Sequence, residues 1–387
     1  MSSIQQALEE LDLDAWLFFD HHQRDLIAYQ ILGLPTTQMA SRRWYYLIPR
    51  QGTPQKLVHR IESKILDTLD GDKQVYSGWR EHAEGLAKLL AGSKRIAMQY
   101  SPNCAIPYVS MVDGGTLELV RSLGVEVVSS ADLVQTFHAT LSAQQIESHL
   151  EAGQKMDLIR AAAFAQVTES HRNRRPLNEY ELQGWLLESF EREGLFADHG
   201  PIVAVNAHAA DPHYSPSATT ASLIQPNDFL LIDMWAKLNA PGSVYYDITW
   251  TGYCGTNVPS EIDNVFEIVK TARDAAFERV KRARANNGKL HGFEVDDAAR
   301  ESITQAGYGN QFVHRTGHSI TTDIHGTGAN MDNLETHDTR LILPHTIFSI
   351  EPGIYLDHFG IRSEFDVLAE ERSARVTGAI QQALLRI

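Results

Sequence analysis

Two aspartates lie in segments where a charged side chain is costly. Asp233 lies in the apolar run 230–235, and Asp247 lies in the aromatic-rich run 244–250. Both runs are typical of buried strands, and the Asn, Pro and Gly residues between them predict a turn that brings the strands side by side. Because a buried carboxylate must be paired or bound to a cation, the two aspartates indicate a site for positive charge.

Two glutamates occupy similar positions later in the chain. Glu351 follows the apolar run 347–350 and precedes Pro-Gly, so the strand is expected to end or bulge at this carboxylate. Glu364 lies in the next strand-like segment, 360–368. Each acid taken singly could instead be a salt-bridged or helix-capping residue. Four acids in apolar strand contexts favour a functional cluster.

Histidines fall between these two pairs of acids. His314, His318 and His325 lie within twelve positions of one another. A single histidine is usually a core or surface residue, but imidazole nitrogen combined with carboxylate oxygen suits Mn, Co, Fe or Zn. Four carboxylates balance two divalent cations and leave room for a bridging hydroxide, which is a nucleophile able to attack an amide. The sequence therefore predicts amide hydrolysis at a two-metal centre.

The elements that must position these residues divide the chain into two parts. At 387 residues the chain exceeds the size at which one hydrophobic core stops growing, so two domains are expected. Residues 1–138 show short apolar runs between polar helical stretches, which predicts an α/β domain. Residues 139–387 show helical periodicity followed by strand-like runs, which predicts an α+β domain with helices outside a mostly antiparallel sheet.

Three helices of the second domain have local signals. Asn178 can cap a helix whose third residue, Glu181, can reach back to it. A second helix is predicted over 260–285, where Asn-Asn-Gly ends it, and a third over 295–306. These helices would cover the apolar face of the sheet.

Composition and charge limit the possible partners. The chain has 43% hydrophobic and 21% charged residues, which is typical of a globular protein. Its formal net charge of -15 argues against nucleic-acid binding, which requires clustered Lys and Arg. No signal-peptide pattern and no apolar run of membrane-spanning length occurs, so a cytoplasmic protein without membrane association is expected. Cys104 and Cys254 are too few for a disulfide framework and are expected to be buried.

The motifs around the acids and histidines resemble those of the pita-bread metallopeptidases. This family includes methionine aminopeptidase, aminopeptidase P and prolidase, with creatinase as a metal-free relative. The resemblance covers roughly residues 150–380 and is carried by the following segments: Ile232-Asp233, Asp247-Ile248-Thr249, Gly317-His318 with His325, Glu351-Pro352-Gly353 and Gly360-Ile361-Arg362-Ser363-Glu364. It implies a curved, mostly antiparallel pita-bread sheet in the catalytic domain and a creatinase-like N-terminal α/β domain.

The resemblance implies a set of metal ligands. Asp233 would bind one ion, Asp247 and Glu364 would bridge both ions, and His318 and Glu351 would complete the other site. Glu351 would also act as the general base that passes a proton to the leaving amine. Manganese is the expected metal, with Co, Fe or Zn as alternatives.

The resemblance also implies a substrate. His213 and His325 are similar to histidines that contact substrate and stabilise the tetrahedral intermediate. His314 and Arg362 are similar to substrate-binding residues of the proline-directed members. Together with the N-terminal domain, they indicate a homodimeric metallo-exopeptidase that cleaves the Xaa-Pro bond of dipeptides or peptide N-termini.

Three features depart from the family pattern. Asp233 and Asp247 lie 14 positions apart, which is more than is usual. Gly326 follows His325 where an acidic residue is common, and residues 319–321 replace a Gly-rich or aromatic stretch. Two alternatives therefore stay open: a metal-dependent hydrolase or lyase of a small non-peptide substrate, and a non-catalytic binding module. The module would be expected to have lost ligands, whereas all five are present.

Overall fold

The computed structural model describes residues 2–387, which form two compact units, residues 2–138 and 139–387. The strands of the first unit are β1 (Ala15–Asp20), β2 (Trp44–Pro49), β3 (Gln55–His59), β4 (Asp72–Tyr76), β5 (Arg95–Met98) and β6 (Glu126–Ser129). Its helices are α1 (Ser2–Glu10), α2 (Leu26–Leu32), α3 (Trp79–Leu89), α4 (Gly114–Ser122) and α5 (Ala131–Val134). The strands form one mixed sheet in the order β4-β3-β2-β1-β5-β6.

Both faces of this sheet are covered by helices. Trp16 and Phe18 of β1 pack into a core with residues of α1 and α2, whereas Leu17 and Phe19 pack into a core with residues of α3 and α4. This division arises because successive side chains of a strand point to opposite faces. The unit therefore has the predicted α/β class. The sequence pattern does not predict β4, whose residues are mostly polar and exposed at the sheet edge.

The helices of the second unit are α6 (Ala143–Arg172), α7 (Glu179–Arg192), α8 (Ser260–Ala285) and α9 (Gly292–Gln305). Its strands are β7 (Leu195–Phe196), β8 (Ile202–Val205), β9 (Phe229–Leu238), β10 (Tyr246–Tyr253), β11 (Ser319–Ile320), β12 (Thr346–Ile350), β13 (Gly353–Leu356), β14 (Phe359–Arg362), β15 (Phe365–Ala369), β16 (Ala374–Val376) and β17 (Leu385–Arg386). One sheet has the order β17-β10-β9-β7 with β8 paired to β9, and a second has the order β11-β12-β15-β16. Strands β13 and β14 form a separate antiparallel ribbon. The unit is α+β and its strand pairs are antiparallel except for β10 with β17.

Local sequence signals account for the helix boundaries. The side chain of Asn178 accepts a hydrogen bond from the Glu181 amide, and the Glu181 carboxylate accepts one from the Asn178 amide, as the capping pattern predicts. Helix α8 has the predicted bounds. Helix α9 begins at Gly292, before the predicted start, because the Glu294 carboxylate accepts the backbone amide of His291 and closes the first turn there.

The β9-β10 hairpin separates two kinds of side chain. Ile232, Met234 and Ile248 point into a core with residues of α6 and α7. The alternate positions of both strands, which include Asp233 and Asp247, face the opposite side of the sheet. The strand period therefore places apolar side chains against helices and the aspartates on the other face.

Two expectations from composition have structural outcomes. Cys254 is buried as expected, but Cys104 is exposed, so the expectation of burial is wrong for Cys104. Among residues 2–387, no helix combines the length and the apolar character that a membrane span requires.

Candidate metal centre

The two aspartates are diagonal neighbours on one sheet face. In the β9-β10 register Asp233 lies opposite Thr249, and Asp247 lies opposite Trp235. Two positions separate Asp247 from Thr249, so both carboxylates leave the same face of the hairpin. Both aspartates are buried. This confirms the prediction that the two aspartates lie on adjacent antiparallel strands.

The two glutamates lie at breaks between strands. Glu351 follows β12, and Glu364 lies between β14 and β15 rather than inside one continuous strand. The break arises because β14 pairs with β13, whereas β15 pairs with β12. Thr249 ties this break to β10, since its hydroxyl donates to Glu364 Oε2 over 2.7 Å and its carbonyl accepts the Glu364 amide over 3.3 Å.

His318 is buried beside both pairs of acids. Its Nε2 lies 3.5 Å from Asp247 Oδ2 and 3.4 Å from Glu351 Oε1. The preceding Gly317 is required by space, because a Cβ at this position would lie 2.0 Å from the Ser349 carbonyl oxygen. The Ser349 hydroxyl accepts the His318 amide over 3.0 Å and donates to Glu351 over 3.1 Å. Ser349 therefore restrains both His318 and Glu351, which are proposed metal ligands.

Three of the five predicted ligands form a compact group with the properties of a cation site. Asp247, His318 and Glu364 each offer one ligand atom, and these atoms all lie within 4.8 Å of one another. Asp247 Oδ1 and Glu364 Oε1 are buried and have no hydrogen-bond partner among residues 2–387. Burial, followed by the charges of neighbouring carboxylates, raises the pKa of both acids well above the ordinary value. A divalent cation would satisfy the unpaired oxygens and offset the charge, so this donor set fits one.

Arg362 lies inside the acidic cluster. Its buried guanidinium donates to Asp233, to Thr249 Oγ1 over 3.0 Å and to the Tyr355 hydroxyl over 2.7 Å. Its Nε lies 3.8 Å from Glu351 Oε2. Asp233 is thus paired with a protein cation in this structure. The sequence argument that set four carboxylates against two divalent ions omitted Arg362, whose charge offsets one of them.

His314 is linked to Arg362 through a tyrosine. Its Nδ1 donates to the Arg315 carbonyl over 2.7 Å, and its Nε2 lies 2.7 Å from the Tyr355 hydroxyl. Burial, followed by the charge of Arg362, lowers the pKa of His314 to about 3, so the ring is neutral and Nε2 accepts a hydrogen bond from the Tyr355 hydroxyl. The hydroxyl of Tyr355 in turn accepts from Arg362. Both His314 and Arg362 therefore have protein partners, and Tyr355 connects the histidine to the arginine inside the cluster.

His325 and His213 lie differently. The His325 ring stands edge-on to the His318 ring at a centroid distance of 4.5 Å. The charge of His318, followed by burial, lowers the pKa of His325 to about 3, and the charge of His213 acts in the same direction. His213 is exposed on the loop that follows β8. The structure thus brings His325 to the metal centre and leaves the His213 side chain at an exposed loop position.

A buried glutamate that the sequence analysis missed holds the loop of His213. Glu179 accepts hydrogen bonds from the amides of Val205 and Ser222, from His208 Nδ1 and from the Tyr214 hydroxyl, over 2.7 to 2.9 Å. The His208 and Tyr214 rings stack at 4.3 Å. Tyr214 follows His213 directly, so Glu179 restrains the segment that carries this histidine. The sequence does not reveal this role, because an acid at the first position of a helix is ordinarily explained by the helix N-terminus.

Asp366 is a second missed acid. It is fully buried on β15, and its Oδ2 accepts the backbone amide of Asp247 over 2.8 Å. Its other oxygen has no partner among residues 2–387. Burial, followed by the charge of Asp247, raises its pKa well above the ordinary value. The short segment Glu364-Phe365-Asp366 could have signalled it, because both acids stand in an apolar strand context.

Buried carboxylates and one imidazole meet beside antiparallel strands in this unit, an arrangement that fits the pita-bread fold. The chain belongs to metallopeptidase family M24, whose model matches residues 147–371. This confirms the family resemblance, and membership implies divalent metal ions. Among the described residues, Asp247, His318 and Glu364 are the group placed to hold one.

Individual relatives support the same assignment. The chain is 31% identical over 217 residues to a putative Xaa-Pro aminopeptidase of Mycoplasma genitalium, covering 53% of this chain and 52% of that protein, about half its length. It is 25% identical over 342 residues to a probable dipeptidase PepE of Mycobacterium tuberculosis, covering 85% and 81%. Its fold is similar to the crystal structure of dipeptidase PepE from Mycobacterium ulcerans, with a TM-score of 0.75, 23% identity and coverage of 100% and 96%.

We expect Asp247→Asn to have opposite effects in metal-free and metal-loaded protein. Burial and the neighbouring carboxylates raise the pKa of Asp247, so in the metal-free protein at neutral pH this acid lowers stability, and its replacement by Asn should raise the free energy of unfolding by about 1 kcal/mol. With Mn²⁺ at about a hundred times its Kd, the wild type should gain about 2.7 kcal/mol, and the variant should lose most of this gain. Urea unfolding in EDTA and in Mn²⁺ measures both effects. The exposed Asp263→Asn of α8 serves as control, and a less stable Asp247→Asn protein in EDTA would contradict the cation site.

We expect Glu179→Ala to destabilise the fold more than removal of a neighbouring cap. The substitution leaves the amides of Val205 and Ser222 unpaired, so the free energy of unfolding should fall by about 3 kcal/mol. Glu181→Ala on the same helix removes only the capping bond and should cost about 1 kcal/mol. Urea unfolding compares the two variants, and hydrogen exchange at the two amides locates the change. Equal costs would contradict the role assigned to Glu179.

Proposed function

We propose that this chain is a metal-dependent exopeptidase that cleaves the Xaa-Pro bond of dipeptides or of peptide N-termini. The observation that carries the proposal is the buried group of Asp247, His318 and Glu364, with Glu351 directly beside His318. The names of its relatives support the substrate class, since they include a putative Xaa-Pro aminopeptidase and an Xaa-Pro dipeptidase of Lactobacillus helveticus.

The proposed metal ligands are Asp233, Asp247, His318, Glu351 and Glu364, which would hold two divalent ions, with manganese the expected metal. When bound, such ions lower the pKa of a shared water and polarise the carbonyl that is attacked. Asp233 would exchange part of its contact with Arg362 for a metal ion. The unpaired oxygens of Asp247 and Glu364 support these two acids as ligands.

Glu351 is the proposed general base. It keeps partial solvent access while its Oε1 is held by the Ser349 hydroxyl. A carboxylate in this position can take a proton from the attacking water and deliver it to the leaving amine. Its alignment by Ser349 and His318 lowers the entropy cost of that transfer.

Three further residues are proposed to contact the substrate, and a fourth, Arg362, is proposed to position the groups around it. His325 and His213 would donate to the oxygen on which negative charge develops. His314 would face the substrate beside Tyr355, and Arg362 would orient Asp233 and Tyr355 from within the cluster. The proline bond suits such a site because its nitrogen carries no hydrogen, so recognition must rely on the carbonyl and on ring shape.

The fold and the family leave one alternative with support in the structure. A metal-dependent hydrolase or lyase of a small non-peptide substrate would need a narrow pocket. Trp235, which lies opposite Asp247, occupies space on the metal-facing side of the sheet.

The sequence also leads us to propose a homodimer and a cytoplasmic location. Light scattering of the purified protein tests the dimer.

We expect the Mn-loaded protein to hydrolyse Xaa-Pro dipeptides and to leave matched Xaa-Ala dipeptides largely intact. The test compares Ala-Pro, Ala-Ala, Ala-Pro-Ala and a longer Ala-Pro peptide by release of the N-terminal amino acid. Turnover of Ala-Pro alone indicates a dipeptidase, and turnover of the longer peptides indicates an aminopeptidase. No turnover of any proline peptide by protein with bound metal would overturn the peptidase proposal and favour the small-substrate alternative.

We expect Glu351→Gln to lower kcat by about 10² to 10⁴-fold, because the amide cannot accept the proton of the attacking water. Since Glu351 is also a proposed ligand, the metal content of the variant is measured alongside its activity. Glu301→Gln, an exposed substitution on α9, should leave kcat unchanged. Retained kcat in a metal-loaded Glu351→Gln protein would remove Glu351 from the proton transfer.

A further inference from the structure

Trp235 stands on the metal-facing side of β9. It lies two positions after Asp233 and directly opposite Asp247 in the strand register. Side chains at directly opposed positions of an antiparallel pair have Cβ atoms about 4.5 to 5.5 Å apart. The Cβ atom of Trp235 therefore lies next to that of Asp247, a proposed metal ligand. A tryptophan at this position can fill a large part of the space beside the metal centre.

The indole is held in one orientation. Its Nε1–H donates to Asp198 Oδ1 over 2.9 Å. On its buried side the ring packs against a cluster that includes Tyr245 and Ile320. The side chain as a whole is only half-buried, so part of its surface stays available to a ligand.

Two histidines lie on the same side of the proposed site as Trp235 and Asp247. The His325 ring stands 4.5 Å from the His318 ring, and His318 lies 3.5 Å from Asp247. Trp235 and His318 therefore both lie next to Asp247, and His325 lies next to His318, so these side chains can line one proposed pocket.

Lys237, further along β9 from Trp235, lies close to Tyr245. Lys237 lies two positions after Trp235 on the same face of β9, and its ammonium donates to the Thr322 carbonyl over 2.5 Å. The ammonium also lies 4.6 Å from the centroid of the Tyr245 ring. A substrate side chain that passes Trp235 would meet this lysine and tyrosine, so the space for it is short.

We propose that Trp235 is a specificity-determining residue whose indole, fixed by Asp198, forms one wall of the substrate pocket and limits the substrate to a small side chain beside the scissile bond. The inference rests on the proposed function for the reaction itself. It adds the residue that sets the size of the accepted side chain. It also gives a physical reason why a chain with all five predicted ligands can differ in substrate from its relatives.

The first test measures kcat/KM for Ala-Pro and Phe-Pro in the wild type and in Trp235→Ala. The wild type should prefer Ala-Pro, and the substitution should shift the ratio toward Phe-Pro by about tenfold or more, since removing the wall admits the larger side chain. Trp185→Ala, which truncates another half-buried tryptophan on α7, should leave the ratio unchanged. Trp235→Phe should shift the ratio less, and it serves as the test variant if Trp235→Ala does not fold.

Variants of Asp198 test how the wall is held. Asp198→Ala frees the indole N–H and should shift the ratio in the same direction as Trp235→Ala, but by less. Asp198→Asn keeps an acceptor for the indole and should stay close to the wild type. If the two Asp198 variants change the ratio equally, the charge of Asp198 rather than its hold on Trp235 sets specificity, and the assigned role of Asp198 fails.

A binding experiment separates this inference from the proposed function. Alanine hydroxamate and phenylalanine hydroxamate require a bound metal but no proline activity, and calorimetry with Mn-loaded protein gives their Kd values. Trp235→Ala should lower the Kd ratio of the phenylalanine to the alanine compound by about tenfold. If no proline peptide is cleaved, the proposed function fails while this ratio still decides the role of Trp235. An unchanged ratio in Trp235→Ala, with Trp185→Ala as reference, would overturn the inference.

Discussion

Burial of negative charge is the constraint on which the second unit depends. Asp233 and Asp247 on apolar strands come together with Glu351 and Glu364 at strand ends, and Arg362 offsets one of their charges. Moving carboxylates out of water costs several kcal/mol each unless a cation or good hydrogen bonds compensate. The remaining excess of charge favours the binding of divalent ions. Metal binding and folding of this unit are therefore coupled in free energy.

The alternation of strand side chains turns this constraint into a site. On β9 and β10, one face packs against α6 and α7, and the opposite face carries the aspartates. Trp235 lies on the same sheet face as Asp233, because side chains two positions apart on a strand point to the same face. Two proposed metal ligands, Asp233 and Asp247, and the proposed specificity-determining residue thus stand on the same hairpin, which fixes their separation more tightly than loops would. The longer connection between the aspartates lies at the end of this hairpin and leaves their register intact.

Buried carboxylates also hold the loops that surround the site. Glu179 gathers two backbone amides, one imidazole and one hydroxyl around the His213 loop. Asp296 accepts the amide and hydroxyl of Thr316 and pairs with Arg300, which fixes the segment leading to His318. Ordering such segments costs about 1 to 2 kcal/mol per residue, and charge-assisted hydrogen bonds to backbone amides offset part of that cost. The histidines are positioned by acids that do not themselves face the metal centre.

The sequence by itself determined the parts that depend on neighbouring residues. The capping pair Asn178 and Glu181, the ends of α8, and acids within apolar strands are local features, because caps and strand periods act over a few positions. These features also predict that Asp233 and Asp247 share a face.

Only the tertiary structure decided which distant groups meet these acids. Arg362 meets Asp233 across 129 positions, and Thr249 meets Glu364 across 115. Glu179 at the start of α7 accepts a hydrogen bond from Tyr214 in the loop of His213. The strand register places Trp235 opposite Asp247, which brings it to the proposed site. No local pattern encodes such pairings, because each depends on how separate strands and helices pack to bury their apolar faces and satisfy their buried charges.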